Sequence, residues 1–286
     1  MTPHVFIAGP ASWNTLVYLD RLPEGRPHMV VARGHTQTLG GTSAGKALNL
    51  ASLGASVTLR TVVGTDPEAP SILQRLDRDG IEVIAETADG ASEQHLNLMT
   101  AAGERLSIYL DVPELGTEQY AERTLAALDR CDTAVIDLAV HSRPLLAEAR
   151  KRGKQVWCDI HDYNGTDRFH RDFIEAADVL FLNDDGLEDP VPFMRERVLA
   201  GTGTVVCTQG AAGATAVTAA GTVHVPAPPV TDIVDTNGAG DAFLAGFLTA
   251  DQQGLDTERC MRAGHAQAAL CLRVPDLAPT PATRRR

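Results

Sequence analysis

The chain has 286 residues, 44% of them apolar and 22% charged, with a formal net charge of −12. That length and balance suit one large core with a small appendage and exclude a fibrous repeat or a disordered chain. The acidic excess argues against non-specific binding to nucleic acid or to an acidic membrane surface, because phosphate-rich partners attract basic surfaces.

Five cysteines without a CxxC spacing argue against a disulfide framework and a structural zinc site, and are expected as buried, reduced thiols. No stretch approaches the ~20 apolar residues that a membrane span needs, and MTPHVFIAGPAS lacks a basic leader, so a soluble, cytoplasmic protein is expected.

Along the chain, VFIAG reads as a buried strand that ends in glycine. From Thr117 onward, helical and short apolar segments alternate. TEQYAERTLAALDR is predicted as a helix, TAVIDLAV as a strand, RPLLAEARKRG as a helix and KQVWCD as a strand. FIEAA, DVLFLN and GTVVCTQG follow as helix, strand and strand. Such alternation implies parallel strands with helical crossovers, hence a three-layer α/β/α sandwich with ligands at the carboxyl ends of its strands. Residues 13–39 and 91–111 break the rhythm with strand-like patterning and no helix between. They are expected either as edge hairpins of the main sheet or as a small separate sheet forming a lid on a single domain spanning residues 1–286. The Pro-containing tail from Pro275 to Arg286 is expected to be loosely held.

The chemistry concentrates in DIVDTNGAGDAFLAGFLTA, residues 232–250. Gly238 and Gly240 flank Ala239 just before a segment of helical composition, and the unpaired N–H groups of a helix start, with the positive end of its dipole, suit phosphate oxygens. Asp241 stands in the first turn, where the same dipole favours its ionised form and where it can accept a proton from an attacking hydroxyl. Asp235 is placed to orient the turn or to help hold a cation. A glycine-rich helix start with an acidic first turn and no chemistry is the bland alternative.

The whole string DTNGAGDAFLAGF resembles the C-terminal signature of the ribokinase or PfkB family of carbohydrate kinases, DTxGAGD followed by a helix. GGTSAGKALNLASLGASVTLRTVVGTD, residues 40–66, is similar to the family's N-terminal signature. VVCTQGAAGA resembles its nucleotide-side strand and turn, and LFLN the strand before its NxxE motif. The resemblance implies a ribokinase-like fold and an ATP-dependent kinase acting on a sugar or sugar-like alcohol. It implies Asp241 as base, and Asn237, Gly238, Ala239 and Gly240 around the transferred charge. It also implies Gly40, Gly41 and Asn14 at the substrate, and Asn183, Thr208, Gly210 and His265 near the nucleotide. Magnesium is implied with the nucleotide. A monovalent cation is an option that stays open, because LCLRVPDLAPT departs from the family's usual C-terminal loop. A nucleoside kinase and a non-catalytic sugar- or nucleotide-binding regulator are the alternatives.

Departures from the pattern are specific. NxxE appears as Asn183, Asp184, Asp185, Gly186, so Asp185 or Glu188 is the candidate to replace the missing glutamate near the metal. Gly45 stands where many members carry a substrate-contacting asparagine, and Asn14 where many carry an aspartate. GGTSAGK also fits most of a P-loop, but Ala47 replaces the magnesium-binding Ser or Thr and no apolar strand directly precedes Gly40, so Lys46 is expected on a solvated helix face. CDIHDYNG is expected as a substrate- or phosphate-proximal loop, with a plain polar turn as the alternative. His95 and Asn97 alternate on a lid strand, toward the substrate or toward solvent, and His141 ends a strand. An exposed lid sheet can pair across a two-fold axis, giving a homodimer.

Overall fold

The computed structural model describes residues 3–101 and 103–279. The chain opens with β1 (His4–Ala8), β2 (Ser12–Leu19), β3 (Gly34–Gly40), α1 (Thr42–Ser52), β4 (Ser56–Val63), α2 (Glu68–Leu76) and β5 (Ile81–Thr87). It continues with β6 (Glu93–Thr100), β7 (Arg105–Asp111), α3 (Ala121–Arg130), β8 (Thr133–Ile136), α4 (Pro144–Lys151), β9 (Gln155–Asp159) and α5 (Arg171–Ala176). It closes with β10 (Val179–Asn183), α6 (Val191–Leu199), β11 (Thr204–Thr208), β12 (Ala214–Thr218), β13 (Gly221–Val225), α7 (Ala239–Asp251) and α8 (Thr257–Cys271).

Nine strands form the main sheet in the order β13-β12-β11-β10-β9-β8-β1-β4-β5. The strands from β11 to β5 run parallel, as the helix–strand alternation implies. Alternate residues of β1 enter opposite cores: Val5 and Ile7 pack with α1, α2, α7 and α8, while Phe6 and Ala8 pack with α3, α4, α5 and α6. The result is the three-layer sandwich expected from the sequence.

Three local differences have physical reasons. ATAVT and GTVHV lie only two residues apart, too close for a crossover, so they fold back as the antiparallel hairpin β12–β13. β8 stops at Ile136 instead of running through TAVIDLAV, because the Asp137 side chain turns to Ser43 and Lys46 and its carbonyl accepts from Ser142 Oγ at 2.5 Å. The C-terminal segment is docked as far as Leu277, which is buried and whose carbonyl accepts from Asn49 Nδ2 at 2.8 Å; residues 280–286 of the tail lie outside the described residues.

Residues 13–39 and 91–111 contribute a separate four-stranded sheet, β3-β2-β6-β7, rather than edge hairpins of the main sheet. Of the Ala-Gly turn expected between its last two strands, Ala102 lies outside the described residues. β2 and β6 pair in parallel with Ser12 opposite Glu93, Asn14 opposite His95 and Leu16 opposite Asn97. These six side chains therefore share one face, and all are buried, whereas β7 is exposed along its whole length. His95 and Asn97 thus face inward.

Asp66 joins this lid to the main sheet. Its carboxylate accepts from Ser92 N (2.8 Å), Ser92 Oγ (2.7 Å) and Gln94 Nε2 (3.2 Å) at the start of β6, and from Ala69 N (3.2 Å) in the first turn of α2. Burial would raise its pKa, but the hydrogen bonds from Ser92, Gln94 and Ala69 outweigh burial and hold it below the ordinary value. A depressed folded-state pKa contributes stability that is present above the unfolded value of about 3.9 and is lost as pH falls through the folded value. Asp66→Ala is expected to cost about 2 kcal/mol in urea unfolding at pH 7, with the loss shrinking toward pH 2; an equal loss at both pH values would contradict this linkage.

Candidate active site

The carboxyl ends of β8 and β9 and the amino ends of α1 and α7 meet at one point. α1 is a helix of small and apolar residues, TSAGKALNLAS, packed against the sheet and against α7, so Lys46 has no route to solvent. Its side chain is fully buried, contrary to the solvated position expected from the sequence. An ammonium there must be paired to remain charged. Lys46 Nζ lies 2.9 Å from Asp137 Oδ1, 3.2 Å from Asp159 Oδ2 and 3.2 Å from Asp241 Oδ1, and also donates to Thr42 Oγ1. Burial works to strip its proton, but the three carboxylates outweigh burial and raise its pKa above the ordinary lysine value.

Each carboxylate is held differently. Asp137 is engaged at both oxygens: Ser43 Oγ donates to Oδ2 at 2.6 Å and Lys46 to Oδ1. Asp159 accepts Lys46 on Oδ2, while His161, in the left-handed region at φ 49°, gives its amide to Oδ1 at 3.1 Å and sets Nδ1 3.5 Å away. Burial alone would raise the Asp159 pKa, but His161 and Lys46 bring it to about 2. Asp241 Oδ1 accepts a hydrogen bond from Thr42 and forms an ion pair with Lys46, and no hydrogen bond among the described residues engages Oδ2. Burial raises its pKa above the ordinary value, opposed by Lys46 and Thr42.

Asp241 sits in the first turn of α7. Gly238 caps that helix at φ 79°, ψ 1°, a left-handed conformation that a side chain would strain. The chain turns into the helix so that the first amides, those of Ala239, Gly240 and Asp241, lack helical carbonyls four residues back; Ala239 N has only a 3.5 Å contact to Thr236 O. No heavy atom outside its immediate neighbours lies within 4 Å of where a Gly240 Cβ would be, so space for an anion opens beside these amides.

Above this point lies the lid's inner face. Asn14 Oδ1 accepts from Ser12 Oγ at 2.7 Å, and its amide lies directly over Gly40, whose Cβ position is 2.1 Å from Asn14 Nδ2. His95 Nε2 pairs with Glu93 Oε1 at 2.8 Å, and its ring lies 4.0 Å from that of Tyr109. Asn97 Oδ1 is buried and meets no donor among the described residues. Gly41, at φ 90°, caps α1.

The nucleotide-side candidates lie along the same edge. Asn183 and Thr208 are register partners at the ends of β10 and β11, and Gly210 opens the turn that follows, with nothing crowding its Cβ position. His265 on α8 is buried edge-on against Phe243, and its Nε2 donates to the Val225 carbonyl at 3.1 Å. Burial lowers its pKa, which disfavours the charged imidazolium. Asp235 Oδ1 accepts from Asn237 N at 2.9 Å, and burial raises its pKa. Asp185 is exposed and donates its amide to Asn183 Oδ1 at 3.0 Å. Among the described residues no three His, Cys, Asp or Glu side chains form a metal shell, so Asp235 and Asp185 do not make a site on their own. His141 lies apart, beside the buried Arg60, whose Nη1 donates to it at 2.9 Å.

Sequence reading therefore missed Lys46, Asp137 and Thr42. The available signal was a lone lysine inside an otherwise small-residue helix, together with an aspartate at the end of an apolar strand.

Residues 10–283 match the model of the pfkB family carbohydrate kinases. An acarbose 7(IV)-phosphotransferase of Actinoplanes sp. is 27% identical over 95% of this chain and 92% of its own length. An ATP-dependent ribose-1-phosphate kinase of Halopiger xanaduensis is 30% identical over 93% of this chain and 90% of its own. The solved structure of a microbiome-derived acarbose kinase superposes with a TM-score of 0.84 at 23% identity, covering 99% of this chain and 96% of that one.

Gly45 tests the geometry. A Cβ there would stand 2.6 Å from Asp241 Oδ2, so the absence of a side chain leaves that oxygen its room. Gly45→Ala is expected to keep the far-ultraviolet circular dichroism of the wild type while moving the Asp241 carboxylate, because a Cβ would press on Oδ2; a crystal structure of the variant with that carboxylate unmoved would contradict this packing.

Proposed function

The chain belongs to the pfkB family of carbohydrate kinases, and we propose that it transfers the γ-phosphoryl group of ATP to a hydroxyl of a neutral sugar or sugar-like polyol, with Asp241 as general base. The supporting observation is Asp241 itself, with Oδ1 tied down, Oδ2 open, and the amide-rich start of its helix alongside. In this reading the acceptor hydroxyl gives its proton to Oδ2 as its oxygen attacks the γ-phosphorus, and the bond to the β-phosphate oxygen breaks with ADP as leaving group. The amides of Gly238, Ala239 and Gly240 stabilise the charge on the transferred group, and Asn237 holds the turn.

Asn183, Thr208 and Gly210 line the nucleotide's side, with His265 as an apolar-edged wall. Magnesium, when bound, neutralises phosphate charge; it binds mainly through phosphates, water and one or two carboxylates, which suits isolated Asp235 and Asp185 better than a full protein cage. Five free, buried cysteines suit a reducing, cytoplasmic setting where ATP is plentiful. No described helix is long and apolar enough to cross a membrane.

Asn14, Gly40, Gly41 and Asn97 form the acceptor side. The unpartnered Asn97 Oδ1 favours a ligand that donates a hydrogen bond, as a sugar hydroxyl does. Asp159, Asp241 and Glu93 bring negative charge to the pocket while Lys46 is committed to carboxylates, which favours neutral acceptors over sugar phosphates. One observation favours a nucleoside instead: the His95–Tyr109 ring pair offers a surface on which a base can stack.

A panel of neutral sugars, nucleosides and sugar phosphates assayed for ADP formation tests this reading. Neutral polyols are expected to support the fastest turnover, and Asp241→Asn to reduce it by about 10²–10⁴-fold. Ligand binding without turnover on any acceptor would favour a regulator, and undiminished turnover by Asp241→Asn would remove the base.

A second copy of the chain is the proposed partner of the lid. β7 is an edge strand that exposes Leu106, Ile108, Tyr109 and Leu110, and edge pairing across a two-fold axis covers such a strand. Sedimentation equilibrium is expected to give a dimer that Ile108→Lys with Leu110→Lys converts to a monomer; a wild-type monomer at all concentrations would refute it.

A further inference from the structure

We propose that Lys46 is a positioning residue for phosphoryl transfer: its ammonium holds Asp241 by one carboxylate oxygen so that the other faces the acceptor hydroxyl. This rests on the reading of Asp241 as the base and adds a division of labour among the three carboxylates around Lys46.

That division follows from which oxygen each neighbour occupies. Asp137 spends both oxygens inside the cluster, on Ser43 and Lys46, and is fully buried, so it acts as the lysine's permanent counterion. Asp159 is likewise engaged at both oxygens, by Lys46 and by the His161 amide. Only Asp241 is held one-sidedly, with Lys46 and Thr42 both on Oδ1. Thr42 donates its single hydroxyl proton to Asp241 and accepts one from Lys46, so ammonium, hydroxyl and carboxylate form a closed triangle. A carboxylate held at one oxygen by a hydrogen bond and an ion pair cannot swing the other away from the cleft without disturbing both.

The ammonium also sets when Asp241 is ionised. The charged and titratable groups facing Asp241 are Lys46 from α1, Asp159 and His161 from the end of β9, and Cys271 from α8, with Asp137 acting through Lys46. Lys46 is the cation nearest to Asp241, whereas Asp159 repels and burial disfavours its charge. Removing the ammonium must therefore raise the pH at which Asp241 becomes a base. A lysine that only filled space would leave that pH where it is.

The experiment is the pH profile of kcat/KM for ATP-dependent phosphorylation of the best acceptor by wild type, Lys46→Met, Lys46→Met with Asp137→Asn, and Asp241→Asn. The double variant removes one positive and one negative charge together, which keeps the cluster's net charge and guards against unfolding by unpaired carboxylates. For any variant that melts cooperatively, the acid limb is expected to move up by about one pH unit or more, with kcat falling about 10-fold and KM changing less. A folded variant with the wild-type acid limb overturns the inference, as does failure of both lysine variants to fold, which would make Lys46 part of the core alone. Wild-type turnover by Asp241→Asn would instead sink the base on which the inference stands.

Discussion

One buried ammonium organises the working end of this protein. Lys46 is surrounded by carboxylates from three separate parts of the chain, each within 3.2 Å of its ammonium, which offsets the cost of burying so much charge together. Removing one partner of a buried ion pair typically costs about 3–5 kcal/mol, so the cluster and the strand ends that carry it are mutually dependent. The arrangement uses stability to hold Asp241 in one orientation, beside a helix start whose first amides have no helical carbonyl four residues back.

The sandwich delivers these groups to one place. Parallel strands end on the same edge, so Asp137 and Asp159 emerge side by side, and α1 and α7 on the same layer bring Lys46 and Asp241 between them. The lid closes the other side with amides and a His–Glu pair rather than with aliphatic side chains. A pocket built from carboxylates and amides, with its single lysine already engaged, fits the proposed neutral, hydroxyl-bearing acceptor. Asp66 keeps the lid's second crossing in register with the sheet edge.

Much of this was legible in the sequence, and the remainder failed for identifiable reasons. DTNGAGD could be read as a glycine-capped helix start with an acidic first turn because those features are local: glycines set the turn and the next residue falls in the first turn of the helix. Period-two patterning marked the lid strands, whereas the parallel pairing of β2 with β6 depends on segments far apart in the chain. Lys46 was misplaced because helix position alone cannot reveal a partner 91 residues away at the end of another strand. The hairpin of β12 and β13 escaped because two five-residue strands joined by Ala-Ala carry no glycine or asparagine turn signal between them. Gly45 was recognised as a departure, but its reason, room for Asp241 Oδ2, needed three dimensions.

The most direct measurement is a crystal structure of the protein with a non-hydrolysable ATP analogue, magnesium and a neutral polyol. The terminal phosphate is expected over the amides of Gly238 to Gly240, and one acceptor hydroxyl within hydrogen-bond distance of Asp241 Oδ2, with Oδ1 still on Lys46. A nucleotide seated elsewhere, or an acceptor whose hydroxyls all turn from Asp241, would contradict it.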